Sequence, residues 1–288
     1  MTDTDVQAAP LTNKERKEDA AFLLESFRAA GRTATAVLEP EEAASFASSD
    51  ALIQQELFFK LLCYAVLSAQ PAPEAVVRSD WDRLLAAGTV ADVFAGTFEL
   101  TCYALDPPVT RSDSKGKIID FARLAAAREA WAQLLPEPPD PDTAVDVLRA
   151  TSGGALKSRA FWVVREMRRL NLWHGDQLDR YGYVPDGRVR KRAARMGLVD
   201  IPEKADSFAD MKTVSRGLHA VMRLAGAGNG DYDLPITLAA ERCELCDSAR
   251  MASCPIPHCR WRRAQRAGDS EVYGIPWQMK AYREFTRQ

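Results

Sequence analysis

Apolar residues recur along most of this chain at the three-to-four-residue period of a helix, and strand-like alternation is scarce. "NKERKEDAAFLLESFRAAGR", residues 13–32, reads as an amphipathic helix closed by Gly31. "DALIQQELFFKLLCYAVLSAQ", residues 50–70, has Asp50 as a candidate N-cap. Its apolar face runs from Leu52 and Ile53 through Leu57, Phe58, Leu61, Leu62, Ala65 and Val66, and Pro71 and Pro73 stop it. Short helices are expected over 78–88 and 90–105, and one long helix over 112–135. "DTAVDVLRAT" is a short helix, "SGG" turns the chain, and "LKSRAFWVVREMRRL" is a strongly amphipathic helix in which Phe161 and Trp162 read as core. Asp186 caps and Gly197 ends a basic helix, "DGRVRKRAARMG". A last helix is expected over 207–226. The pattern predicts an all-α protein without internal repeats.

Composition narrows this little. The 288 residues are 47% hydrophobic and 27% charged, with a formal net charge of −2. No apolar run approaches the roughly 20 residues needed to span a bilayer, and the N-terminus lacks a signal-peptide core. The expectation is a protein with no membrane role in the cytoplasm, associated with the nucleoid. Charge placement is more telling. Residues 151–200 hold eleven Lys and Arg against five Asp and Glu. That excess suits a face that meets a polyanion, or simply a solvated basic helix.

Four of the six cysteines crowd into "CELCDSARMASCPIPHC": Cys243, Cys246, Cys254 and Cys259. In a reducing compartment such a cluster reads as metal ligands rather than disulfides. Four thiolates hold either a [4Fe–4S] cluster or a structural zinc ion. His258 is a candidate substitute ligand at a zinc site.

The turn "ATSGGALKS" is the second candidate. Gly153 and Gly154, with Ala155, permit a hairpin whose backbone N–H groups converge outward and grip a phosphate without reading sequence. Lys157 is expected in the first turn of the following helix, where the positive helix end disfavours its charged form and favours a free amine nucleophile. A Gly-Gly turn before a lysine is also an ordinary way to join two helices. Asp186 serves as a cap in either case. Beside a nucleophilic lysine its carboxylate would also stabilise an oxocarbenium-like sugar. Gln70 closes the apolar helix as either a cap or a projecting amide.

Taken in order, these segments resemble the endonuclease III-type DNA glycosylases of the helix-hairpin-helix superfamily. "FFKLLCYAVLSAQ" is similar to their helix ending in leucine-serine-alanine-glutamine, "LRATSGGALKS" to their hairpin, and "VPDGRVRKRAARMGL" to their aspartate segment. A four-cysteine loop follows, as in the iron–sulfur members. The resemblance implies a two-lobed fold with a C-terminal metal-cluster loop. One lobe joins residues 14–49 to 185–270, and the other spans 50–184. It implies a DNA glycosylase/AP lyase of base excision repair acting on double-stranded DNA with an oxidised or otherwise damaged base. It makes Lys157 the Schiff-base nucleophile and Asp186 the essential carboxylate. Gln70 fills the gap left by a flipped base, and Gly153, Gly154 and Ala155 belong to the DNA-clamping hairpin. Arg188, Arg190 and Lys191 contact DNA, and the cysteines hold a [4Fe–4S] cluster. This chain departs from the family pattern at several points. Ser152 stands for a proline, Ala155 for a glycine, and Gly187-Arg188 for threonine-histidine. The cysteine spacing, Cys-x2-Cys-x7-Cys-x4-Cys, differs from the family's Cys-x6-Cys-x2-Cys-x5-Cys. Two rival readings remain: a non-catalytic, metal-stabilised DNA-binding protein of the same fold, and a zinc-clasped helical interaction module.

Overall fold

The structure is a computed structural model. It describes residues 10–30, 37–38, 40–48, 50–69, 74–98, 114–135, 140–201, 206–227 and 256–260. Among these residues every regular element is helical. In chain order they are α1 (Asn13–Ala30), α2 (Pro40–Ser48), α3 (Ala51–Leu67), α4 (Glu74–Ala86), α5 (Thr89–Ala95), α6 (Ser114–Ala126), α7 (Arg128–Ala132), α8 (Pro141–Thr151) and α9 (Arg159–Arg169). A 3₁₀ helix (Asp176–Tyr181), α10 (Gly187–Met196) and α11 (Phe208–Leu224) follow. No described helix is long and apolar enough to cross a membrane.

The chain divides into two compact units. Met1–Thr33 and Pro185–Gln288 form one, and Ala34–Val184 the other. The middle unit includes α2, where Glu42 pairs with Lys60 of α3 at 2.5 Å.

The middle unit is built around α3. Asp50 caps it, its carboxylate accepting from the Leu52 N–H at 2.8 Å. Leu57 to Leu67 is buried at every position except Lys60, so the helix is covered on all sides, as a central helix must be. Phe58 meets Trp131 and Trp173 at 5.6 and 6.0 Å between ring centres, and Tyr64 meets Trp81 and Trp162 at 5.4 and 5.6 Å. Leu52 and Ile53, expected on the apolar face, are instead exposed. They lie in the first turn of the helix.

Two expected helices are shorter than the periodicity suggests. The element from 112 to 135 breaks at Ala127 into α6 and α7. There the Trp131 indole N–H donates to the Leu124 carbonyl at 2.7 Å, on a ring that packs against Phe58. A tertiary contact thus claims a helix carbonyl. The helix expected over 90–105 ends at Ala95, because Gly96 adopts φ 72° and turns the chain; residues 99–113 lie outside the described part.

In the other unit α11 packs on α1 and on α10. A capping box starts α11: the Ser207 hydroxyl accepts from Asp210 N–H, and the Asp210 carboxylate accepts from Ser207 N–H. Gly217 lets α11 close on Val199, since a Cβ there would fall 3.0 Å from its methyl group. The segment 256–260 is seated on α1. The His258 N–H donates to Asp19 Oδ1 at 2.8 Å, and His258 Nε2 lies 2.6 Å from Glu18 Oε2. Asp200 holds Arg16 of α1 directly and Arg260 at 4.0 Å.

Candidate functional site

The hairpin between α8 and α9 can be built residue by residue. Asp140 starts α8, accepting from the Thr143 N–H at 2.9 Å and its hydroxyl at 2.6 Å. These bonds hold its carboxyl below the ordinary aspartate value. The helix ends in a Schellman turn: the Gly154 N–H reaches the Arg149 carbonyl at 2.9 Å and the Gly153 N–H the Ala150 carbonyl at 3.0 Å. Gly153 and Gly154 take φ 59° and 86°, where a side chain would be strained. Ala155 is outside the left-handed region, so its methyl group costs no backbone strain.

Ser152 is a site residue that its place in the resemblance hides. It is buried, and its hydroxyl donates to the Arg149 carbonyl at 2.9 Å while accepting from the Leu156 N–H at 3.1 Å. A proline at 152 would supply stiffness; serine supplies two hydrogen bonds. Leu156 is fully buried and pins the turn to the core.

This geometry corrects the expectation of an outward amide nest. The N–H groups of Gly153, Gly154, Ala155, Leu156 and Lys157 all donate within the turn, the last two to the Ser152 hydroxyl and the Gly154 carbonyl. An anion at the tip finds no convergent set of open amides here. Lys157 is also displaced from its expected place. It precedes the start of α9 at Arg159 and is exposed, so water screens the field of the helix end.

Asp186 belongs to the other unit. Its Oδ1 accepts from the Val189 N–H at 2.8 Å and caps α10. Of the expected basic contacts on this helix, Arg188 is exposed, whereas Arg190 and Lys191 are half-buried and each has a partner. Arg192 and Arg195 are buried and likewise engaged, as buried charge must be. The basic face is therefore narrower than the sequence suggests.

Gln70, Cys243, Cys246 and Cys254 lie outside the described residues. Cys259 is described and buried. Among the described residues no group of three or more potential ligands is assembled for a metal ion. His258, the candidate substitute ligand, has its Nε2 engaged by Glu18, while Asp19 accepts from its backbone N–H. Cys63 is wholly buried in α3, and desolvation pushes its thiol well above the ordinary value, so it is inert. Phe161 and Trp162 are core residues.

Sequence reasoning missed Arg123 on α6. A Cβ built on Gly153 would fall 1.8 Å from its Nη1 and 2.8 Å from its Cζ, so this exposed guanidinium lies across the hairpin tip. No local pattern links positions 123 and 153. No protein-family model, no curated protein and no solved structure matches the chain.

Proposed function

We propose that this chain is a helix-hairpin-helix DNA glycosylase/AP lyase of base excision repair, acting on double-stranded DNA that carries a damaged base. The observation that carries the reading is the α8–Gly153–Gly154–α9 hairpin with Lys157 exposed on its turn. A stiff turn that holds a lysine in solvent makes the amine available to an external electrophile.

The chemistry is a displacement. Chemistry on a paired base requires the nucleotide to leave the stack. The Lys157 amine, in its neutral form, attacks the anomeric carbon of the extruded sugar. The N-glycosidic bond breaks and the base departs with the bonding pair, taking up a proton. The sugar ring opens to an imine with the lysine. That imine acidifies the adjacent sugar proton, and its loss expels the 3′ phosphate by β-elimination. Asp186 is the carboxylate assigned to the cationic sugar. Its Oδ1 accepts from the Val189 N–H, which fixes the side-chain rotamer. Gln70 would fill the vacated stack, and Arg188, Arg190 and Lys191 would meet phosphates. Cys243, Cys246, Cys254 and Cys259 would hold a structural [4Fe–4S] cluster, with zinc as the other candidate. The burial of Cys259 in a segment anchored to α1 suits a structural ligand.

Borohydride trapping tests the reading. Duplexes bearing abasic sites and a panel of oxidised bases should yield a covalent adduct that disappears in Lys157→Gln. Asp186→Asn should lower the excision rate by about 10²-fold or more. Absence of an adduct on every duplex would exclude the lyase. A second reading, duplex binding without chemistry, is favoured by the place of Lys157 ahead of α9, outside the first turn of that helix. It predicts retention of the duplex with no adduct. Iron analysis and the visible spectrum of anaerobically purified protein decide between cluster and zinc.

A further inference from the structure

Arg123 has no part in the chemistry proposed above. It stands on α6, thirty positions before the hairpin glycine it covers. Its guanidinium occupies the space a side chain at 153 would need. Glycine at 153 therefore answers two demands: it adopts φ 59°, and it lets a planar cation lie against the backbone of the tip. Behind that cation the amides from Gly153 to Lys157 are bonded within the turn. An anion approaching the tip meets the guanidinium first. Lys157, exposed on the same turn, adds a second positive charge. Asp120, three residues before Arg123 on α6, is partly desolvated, and Lys117 and Arg123 draw its carboxyl back toward the charged form.

We propose that Arg123 is the phosphate-contacting group of this hairpin, its guanidinium seated on Gly153 and taking a backbone phosphate of duplex DNA where an amide nest would otherwise serve. A guanidinium offers parallel N–H donors that match two phosphate oxygens. Such a contact sets register on the duplex and carries no sequence information. The inference rests on the hairpin's being a DNA-binding element, and it names the atoms that do the binding.

The experiment is a salt titration of full-length protein binding to two short duplexes of one sequence, one undamaged and one with a stable abasic-site analogue. Arg123→Gln should reduce the slope of log K against log salt by about 1 on both duplexes. Arg123→Lys should keep the slope, because the charge remains. Gly153→Ala should behave as Arg123→Gln does, and the double variant should lose nothing further. Melting followed by circular dichroism confirms that each variant is folded. An unchanged slope in Arg123→Gln overturns the inference, as does a further loss in the double variant. Borohydride trapping of the wild-type protein reports the lysine chemistry separately. No adduct together with an Arg123-dependent slope removes the lyase and leaves this inference standing. An adduct with an Arg123-independent slope does the reverse. Failure of the wild-type protein to bind either duplex removes both.

Discussion

The turn between α8 and α9 and the seat of residues 256–260 on α1 solve the same problem, fixing an irregular stretch of chain, by opposite means. In the hairpin the bonds of the backbone amides span a few residues: Gly154 to Arg149, Gly153 to Ala150, Leu156 to Ser152. Closing such short loops costs little chain entropy. At the seat, His258 reaches Asp19 across 239 residues of sequence. The contacts there are polar and partly charged, with Asp200 bridging Arg16 and Arg260 and Glu18 facing His258. The hairpin can form as its two helices form. The seat has no local reason to exist and depends on α1, α10 and the C-terminal segment being in place. Gly197 marks that dependence: with φ 78° it ends α10, and a Cβ on it would press within 3.0 Å of Leu11 and 3.1 Å of Arg260.

The contrast can be broken most strongly at the hairpin's buried leucine, Leu156. Leu156→Ala should destabilise the protein by about 2–5 kcal/mol in chemical denaturation, because it empties a fully buried site. Asp19→Ala should cost up to about 3 kcal/mol, since it strands a partly buried amide and removes a carboxylate with further partners. If the seat is non-local as described, limited proteolysis will show faster cleavage near 256–260 in that variant, with the α8–α9 turn unaffected. Ser152→Ala should cost about 1–2 kcal/mol by leaving the Leu156 N–H without its acceptor; here the proteolytic change should fall at the turn and spare the seat.

Asp140→Ala should cost about 1 kcal/mol near neutral pH, the usual loss for an N-cap. The sign of its pH dependence follows from its lowered value in the folded state. Folded protein binds that proton less readily than unfolded chain does. The stabilisation is therefore present above the ordinary value of 3.8 and lost as pH falls through the lower folded one. Denaturation midpoints of wild type and variant should differ near neutral pH and converge well below 3.8.

Much of the local structure was legible. Asp50, Asp186 and Gly197 mark their helix ends because capping is a short-range property, and each does so in the structure. The Gly-Gly turn was legible as a turn. Its hydrogen bonds were not. The sequence suggested open amides, but Ser152 and the Schellman closure engage them. The long helix expected over 112–135 breaks because an indole on α7 reaches a carbonyl on α6 while packing on α3, a contact that periodicity does not encode. Leu52 and Ile53 satisfy the apolar pattern and still face solvent, since no described residue covers them.

By itself the sequence determined that the described chain is helical, where several helices begin or end, and which turn carries Lys157. These follow from period, caps and glycines, whose effects act within a turn or two of the backbone. Only the tertiary structure decided that α2 joins the middle unit, that Arg192 and Arg195 are interior charges, that residues 256–260 rest on α1, and that Arg123 lies over Gly153. Those outcomes depend on which distant side chains meet once the apolar faces are buried. That choice is made by packing and charge satisfaction across the whole chain, not by any segment alone.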